Sequence, residues 1–205
     1  MIIFDGPRFT RKKVSKLLSF NKESKTFKEI SSLQSDLCIA YDTKVVLVTS
    51  ANDDYLAAAF SKAFANAYAL NGKKALVIDA NFYNPQLSGM LHLSNDSEND
   101  SAFNNVFNLE ENIDVVCSKK EEYPGETIKS DAVGKLINEN KDNYDHIIVI
   151  APNLKEHEDA LFFTKDAGCV LLTTKRNVTT KSLVYKSIQL FKDNKVSNYR
   201  IALIK

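Results

Sequence analysis

Five short runs of mainly apolar residues recur along the chain, and each is followed by polar or turn-forming residues. They span residues 44–50, 75–79, 113–117, 146–150 and 169–173. The run at 75–79 shows no alternation of polar and apolar side chains, which is typical of a strand covered on both faces. We predict a strand at each run and a last strand at 199–204.

Apolar residues at helical spacing separate these strands. The spacing predicts helices over 24–38, 55–70, 128–140, 156–167 and 180–194. Residues 94–112 are rich in Asn, Asp, Glu and Ser, and we expect loop with one short helix there. Strands that alternate with helices predict an α/β fold, with a mostly parallel sheet flanked by helices on both faces.

The chain divides into a short N-terminal segment and one domain. Residues 1–22 are predicted to form an appendage with a short amphipathic helix, and residues 23–205 a single P-loop-NTPase-like α/β domain. The length of 205 residues suits one such domain. The apolar positions of the appendage helix are Val14, Leu17 and Leu18.

Composition excludes several classes of function. The formal net charge of +1 gives no overall attraction to nucleic acid, which is therefore not an expected partner. No apolar run reaches the roughly 18 residues of a membrane span, so we expect a cytoplasmic chain. Histidines are too scattered to predict a metal site, and so are the cysteines; these residues are His92, His146, His157, Cys38, Cys117 and Cys169.

Candidate chemistry lies after the strands, because parallel sheets bind ligands at the carboxyl ends of their strands. The loops after Ser50, Asp79 and Ile150 are therefore expected to form the functional edge. The first loop lies between a strand and a long helix, which is the setting of a phosphate-binding P-loop. That loop needs glycines, a Lys and a Ser or Thr. Here Asp53 and Asp54 stand where a polyphosphate would lie, and their charge would repel it.

Several segments in the same order resemble one known family. These are residues 46–51, 63–69, 72–79 with Asn84-Pro85, and 144–152. They resemble bacterial tyrosine kinases, which are P-loop kinases that pair with membrane proteins controlling polysaccharide chain length. The same superfamily contains the partitioning and septum-positioning ATPases. The resemblance covers roughly residues 25–205 and implies a P-loop NTPase fold.

The resemblance also implies which positions have lost their usual chemistry. Asp54 and Leu56 replace glycines of the loop, and Ile150 replaces the Walker B aspartate. Asp79 remains from the acidic motif and is a candidate catalytic remnant, although we favour a capping role for it. The degenerate P-loop positions are Asp53, Asp54, Leu56, Ala57 in place of the lysine and Ala58 in place of the metal-binding hydroxyl.

These departures favour a pseudo-enzyme without a cofactor. We expect a pseudokinase that is a regulatory or scaffold partner in capsular or extracellular polysaccharide biosynthesis. Its partners would be a membrane polysaccharide co-polymerase, which would hold it at the inner face of the membrane, or a kinase relative, in a homo- or hetero-oligomer.

Two other functions stay open. One is a nucleotide-binding or active tyrosine kinase that uses ATP and Mg²⁺ through Asp79 and the loop Lys175-Arg176-Asn177. That loop fits an anion or base site and an ordinary solvated turn about equally. The other is a partitioning-type ATPase on DNA, which the near-neutral charge disfavours.

Overall fold

The computed structural model describes residues 2–4, 21–93, 102–103 and 106–204, and an eight-stranded sheet runs through them. The strands are β1 Ile2–Phe4, β2 Val45–Ser50, β3 Ala75–Asp79, β4 Phe107–Glu110, β5 Ile113–Cys117, β6 His146–Ile150, β7 Cys169–Lys175 and β8 Tyr199–Ile204. Their order across the sheet is β1-β8-β7-β2-β6-β3-β5-β4. Only the pair of β4 and β5 is antiparallel among these described strands.

Six α-helices and one long 3-10 helix connect the strands in the described part of the chain. They are α1 Lys25–Tyr41, α2 Asp54–Leu70, α3 Leu87–Leu91, α4 Pro124–Lys129, α5 Ala132–Asn140, the 3-10 helix Glu158–Asp166, and α6 Lys181–Asp193. Three helices begin at a side-chain cap, because Ser24, Asp53 and Thr180 each accept the N–H of the residue three positions on.

The sheet separates two apolar clusters. Val46 and Val48 of β2 point into one cluster, and Leu47 between them points into the other. The first cluster contains the buried residues of α1 and α2, and the second contains those of α4, α5, α6 and the 3-10 helix. The strands are apolar on both sides because both faces of the sheet are covered, which confirms the predicted fold class.

Helix α2 is buried around most of its circumference. It packs against β2, β3 and β6 on one side and against α1 on the other. Six of its alanines, among them Ala57, Ala58 and Ala63, are fully buried and allow close approach to the sheet. Gln34 of α1 donates a hydrogen bond from Nε2 to the carbonyl of Phe64 at 2.7 Å. The long helix predicted over 55–70 is therefore α2, and it lies between the sheet and α1.

Two edge strands were not predicted. Residues 107–110 were expected to be loop or a short helix, and that prediction is wrong because they form β4. Exposed and half-buried residues alternate along this strand, and four residues with this pattern are too few to stand out in the sequence. Strand β1 pairs in parallel with β8 at the opposite edge, with Ile2 beside Ala202.

Two predicted helices differ from the observed ones. The helix expected over 128–140 is two helices, α4 and α5, because Asp131 adopts a left-handed conformation with φ of 61° between them. The helix expected over 156–167 is a 3-10 helix. Its Glu158–Asp166 span lies within the predicted bounds.

The amphipathic helix predicted at Val14, Leu17 and Leu18 lies outside the described residues. The division at residue 22 also stays a prediction. Among the helices that the structure describes, none has the length and the apolar character needed to cross a bilayer.

Candidate functional site

Three loops meet at the carboxyl edge of the sheet, as the sequence predicts. Strand β6 lies between β2 and β3, so the loops that follow these three strands are neighbours. Asp54 at the start of α2 contacts Asn153 after β6 and Asn84 after β3. The contacts join the loop in the P-loop position to the two other loops at which we expected chemistry.

The loop after β2 is closed on itself by the hydroxyl of Ser50. Its Oγ accepts hydrogen bonds from the backbone N–H of Asn52 at 3.3 Å and of Asp53 at 3.0 Å. It also donates to the carbonyl of Thr173 at 3.3 Å. A phosphate-binding loop turns its N–H groups outward to a ligand. Here a side chain of the same loop already uses two of them.

Asp53 is the N-cap residue of α2. Its backbone is extended, and its carboxylate accepts the N–H of Leu56 at 3.0 Å. A carboxylate at this position stabilises a helix through the capping bond and through the helix dipole. Asp53 therefore does at the helix N-terminus what a bound anion would otherwise do.

Asp54 links the three loops. One oxygen accepts the backbone N–H of Asn153 at 2.8 Å and the Nδ2 of the same residue at 3.1 Å. The other oxygen accepts Nδ2 of Asn84 at 3.3 Å. These bonds hold a fixed negative charge where the sequence analysis placed a lost glycine.

Asp79 is completely buried and fully engaged by backbone groups. One oxygen accepts the N–H of Asn81 at 3.1 Å, and the other accepts those of Gln86 at 2.9 Å and Leu87 at 2.8 Å. Burial raises the pKa of Asp79 to about 6, and the nearby charge of Asp54 adds to the rise. The three N–H donors lower the pKa and so oppose this rise. Three such hydrogen bonds from backbone N–H groups are what a capping role requires, and this role of Asp79 stays a prediction.

The raised pKa of Asp79 predicts a specific pH dependence of stability. Between about pH 4 and pH 6 the unfolded carboxyl is ionised while the folded one keeps its proton, so stability falls as the pH rises. The free energy of unfolding of wild type, relative to Asp79→Asn, should fall by up to about 3 kcal/mol across this window and then level off. Urea denaturation at a series of pH values measures this difference. The pH profile of Asp79→Asn alone should lack the fall that Asp79 causes in wild type, and a difference between the two proteins that stays constant from pH 4 to pH 6 would contradict the assignment.

Four of the predicted site positions carry apolar side chains into the core. Leu56, Ala57, Ala58 and Ile150 are each at most 4% exposed. Ala57 and Ala58 pack in the same apolar cluster as Ile150. None of these four side chains has an atom that binds a phosphate or a metal ion.

The loop Lys175-Arg176-Asn177 forms a tight turn next to the loop after β2. The Thr179 hydroxyl accepts the backbone N–H of Lys175 at 2.9 Å and donates to Asn52 Oδ1 at 3.0 Å. Asn177 has φ of 61°, a conformation that asparagine tolerates. The side chains of Arg176 and Asn177 are exposed to solvent.

The sequence analysis missed several polar residues of this edge. Asn153 binds Asp54, and it also donates to Glu156 at 3.3 Å. Tyr83 donates a hydrogen bond to Asp159 and stacks on His157, with ring centroids 3.6 Å apart. The only available signal was that these residues follow strands, because their pairing depends on how the loops fold toward one another.

Potential metal ligands are dispersed over the described part of the chain. No three His, Cys, Asp or Glu side chains there are grouped so that they could hold a metal ion. Cys117 and Cys169 are buried, as expected from their apolar surroundings, and burial raises the pKa of each thiol. Cys38 is exposed on α1.

Solved structures share this fold over most of the chain. The chimeric protein CapA2B2 aligns with a TM-score of 0.78 and 22% identity, over 89% of this chain and 85% of that one. The kinase domain of the Escherichia coli tyrosine kinase ETK gives 0.75 and 21%, over 87% and 74% of the two chains. The MinC:MinD cell division complex of Aquifex aeolicus gives 0.58 and 19%, over 78% and 68%. No protein-family model matches the sequence, and no curated protein matches it.

Proposed function

We propose that this chain, which has the fold of bacterial tyrosine-kinase domains and of P-loop partitioning-type ATPases, is a pseudokinase. In this proposal it binds no nucleotide and regulates or scaffolds the synthesis of a capsular or extracellular polysaccharide. Its partner is a membrane polysaccharide co-polymerase or a kinase relative, and it is cytoplasmic and held at the inner face of the membrane through that partner.

One observation carries the proposal: the carboxylate of Asp54 is bound across the P-loop position by Asn153 and Asn84. A nucleotide would have to displace these hydrogen bonds and place its phosphates against a fixed negative charge. The helix N-terminus, which otherwise attracts a phosphate, is already capped by Asp53.

The rest of the edge supports the same conclusion. Phosphoryl transfer depends on positioning and on neutralising the phosphate charge with lysine and Mg²⁺. Ala57 and Ala58 supply neither group, and Asp79 has both oxygens engaged by backbone N–H groups. The loop after β6 contains one lysine, Lys155, and the acidic Glu156 follows it directly, so the pair adds no net positive charge for a phosphate.

The decisive experiment tests nucleotide binding by the whole chain. ATP·Mg²⁺ and ADP·Mg²⁺ are titrated by calorimetry, and the melting temperature is followed in parallel. We expect no heat of binding and no shift of the melt at millimolar nucleotide. A ligand at 100 times its Kd would stabilise the chain by about 2.7 kcal/mol, which a melt would show clearly.

A matched phosphotransfer assay gives the positive control. The E. coli ETK kinase domain, incubated with ATP·Mg²⁺ under the same conditions, should give a phosphotyrosine signal, and this chain should give none. Saturable binding or tyrosine phosphorylation by this chain would overturn the proposal in favour of an active nucleotide-binding protein. Loss of that binding in Arg176→Ala, a change at an exposed position, would then locate the site.

A further inference from the structure

A polar cavity lies at the amino ends of β3 and β5, on the opposite side of the sheet from its carboxyl edge and the degenerate loop. Its volume is about 950 Å³, within the range of small-molecule sites. It opens between the last turn of α2 and the turn that joins β4 to β5. Helix α2 has 17 residues, so the cavity is roughly 25 Å from Asp54 along the helix axis. The residues that line it are Asn21, Lys22, Asn66, Ala69, Leu70, Asn71, Gly72, Glu110, Glu111 and Asn112.

A buried lysine fixes two polar groups of the cavity wall. Lys62 is 2% exposed, and its ammonium donates to Glu110 Oε1 at 2.7 Å and to Asn66 Oδ1. Asn66 is itself only 6% exposed. Groups held in this way lose little conformational freedom when a ligand binds, so the wall is organised in advance.

Two further asparagines at the rim, Asn71 and Asn112, lie in turns with a defined backbone conformation. Asn112 occupies the β4–β5 turn in a left-handed conformation with φ of 65°. Asn71 is the C-cap residue of α2, and its N–H is bound by the carbonyl of Tyr68. Both side chains are thus carried by well-defined turns rather than by long loops.

The lining indicates the chemical class of the ligand. Three asparagine amides outside the Lys62 contact, those of Asn21, Asn71 and Asn112, offer paired donors and acceptors, and sugar hydroxyl groups need both. Ala69 and Leu70 are half-buried and give an apolar surface for the C–H face of a sugar ring. Glu110 is paired with Lys62, and the charges of Glu111 and Lys22 balance, so the wall carries no net charge, while the negative end of α2 disfavours an anion. We propose that this cavity binds a neutral sugar or another uncharged polyol, independently of the function proposed above.

The test uses the full chain labelled with ¹⁵N. D-glucose, D-galactose and N-acetyl-D-glucosamine are titrated to about 50 mM, so that binding with a Kd in the millimolar range is detected. At least one of them should shift the side-chain amide signals of Asn71 and Asn112. Asn112→Gly keeps the turn conformation, because glycine adopts positive φ freely, and removes the amide. It and Asn71→Ala should each weaken binding roughly tenfold, the effect of one well-placed hydrogen bond.

Asn194→Ala is the matched control. Asn194 caps α6 with φ of −94° and ψ of 13°, close to the −90° and 9° of Asn71, but it does not line the cavity. Its replacement should leave sugar binding unchanged, and equal weakening there would overturn the proposal. So would the absence of any shift with the three neutral sugars, stronger binding of D-glucuronate, or binding of spermidine alone.

Discussion

Replacing Asp79 by alanine should lower the free energy of unfolding by about 3–5 kcal/mol. The change removes the acceptor of three backbone N–H groups, those of Asn81, Gln86 and Leu87. A buried donor left without a partner costs about 1–3 kcal/mol. The loss is partly offset because the buried negative charge also disappears. Urea denaturation of the purified variant at pH 7 measures the change.

Two further variants separate the loss of hydrogen bonds from the loss of charge. Asp79→Asn also removes the charge but keeps one acceptor oxygen, so it should cost less than Asp79→Ala. Asp53→Ala removes one helix cap, which typically costs about 1 kcal/mol. If Asp79→Ala were no more destabilising than Asp53→Ala, the backbone network around Asp79 would not contribute as the structure indicates.

Removing the carboxylate of Glu110 should destabilise the chain more than removing its partner Lys62. Glu110→Ala leaves the buried ammonium of Lys62 without its counter-charge, and breaking a buried pair in this way costs about 3–5 kcal/mol. We expect the lower part of that range, since the side chain of Glu110 is 53% exposed. Lys62→Met fills a similar volume without a charge but removes the donor to Asn66 Oδ1, so the variant should lose only about 1–2 kcal/mol.

The double variant Lys62→Met/Glu110→Ala provides the control. It should resemble Lys62→Met, because no ammonium remains to be left unpaired, and the two effects are then strongly non-additive. Burial lowers the pKa of Lys62, and Glu110 opposes this. In Glu110→Ala the lost stability should therefore be regained in part as the pH rises toward the ordinary lysine pKa of 10.5. Additive effects of the two single changes would contradict the pairing.

These two predictions concern different parts of the fold and different kinds of buried charge. Asp79 is held by backbone N–H groups at the carboxyl edge, near the start of α2. Lys62 lies at the middle of the helix and is paired with Glu110 of the edge strand β4. Together they test whether the fold is stabilised by local polar networks at both edges of its sheet.

The sequence by itself determined the central architecture. The uninterrupted apolar runs that became β2, β3, β6 and β7 could be covered on both faces only in an α/β layer structure. Asn71-Gly72 ended α2 at the expected place. The absence of the loop's usual glycines, lysine and hydroxyl could also be read directly along the chain, because it concerns residue identities alone.

Tertiary structure decided the edges of the sheet and the partners of the polar residues. β4 carries alternating polar residues and is a strand only because β5 lies beside it. The bonds of Asp54 to Asn153 join residues 99 positions apart, and those of Lys62 to Glu110 join residues 48 apart. Hydrophobic periodicity is a local signal and specifies which elements form. The pairing of buried polar groups depends on where distant loops meet, and only the packed chain determines that.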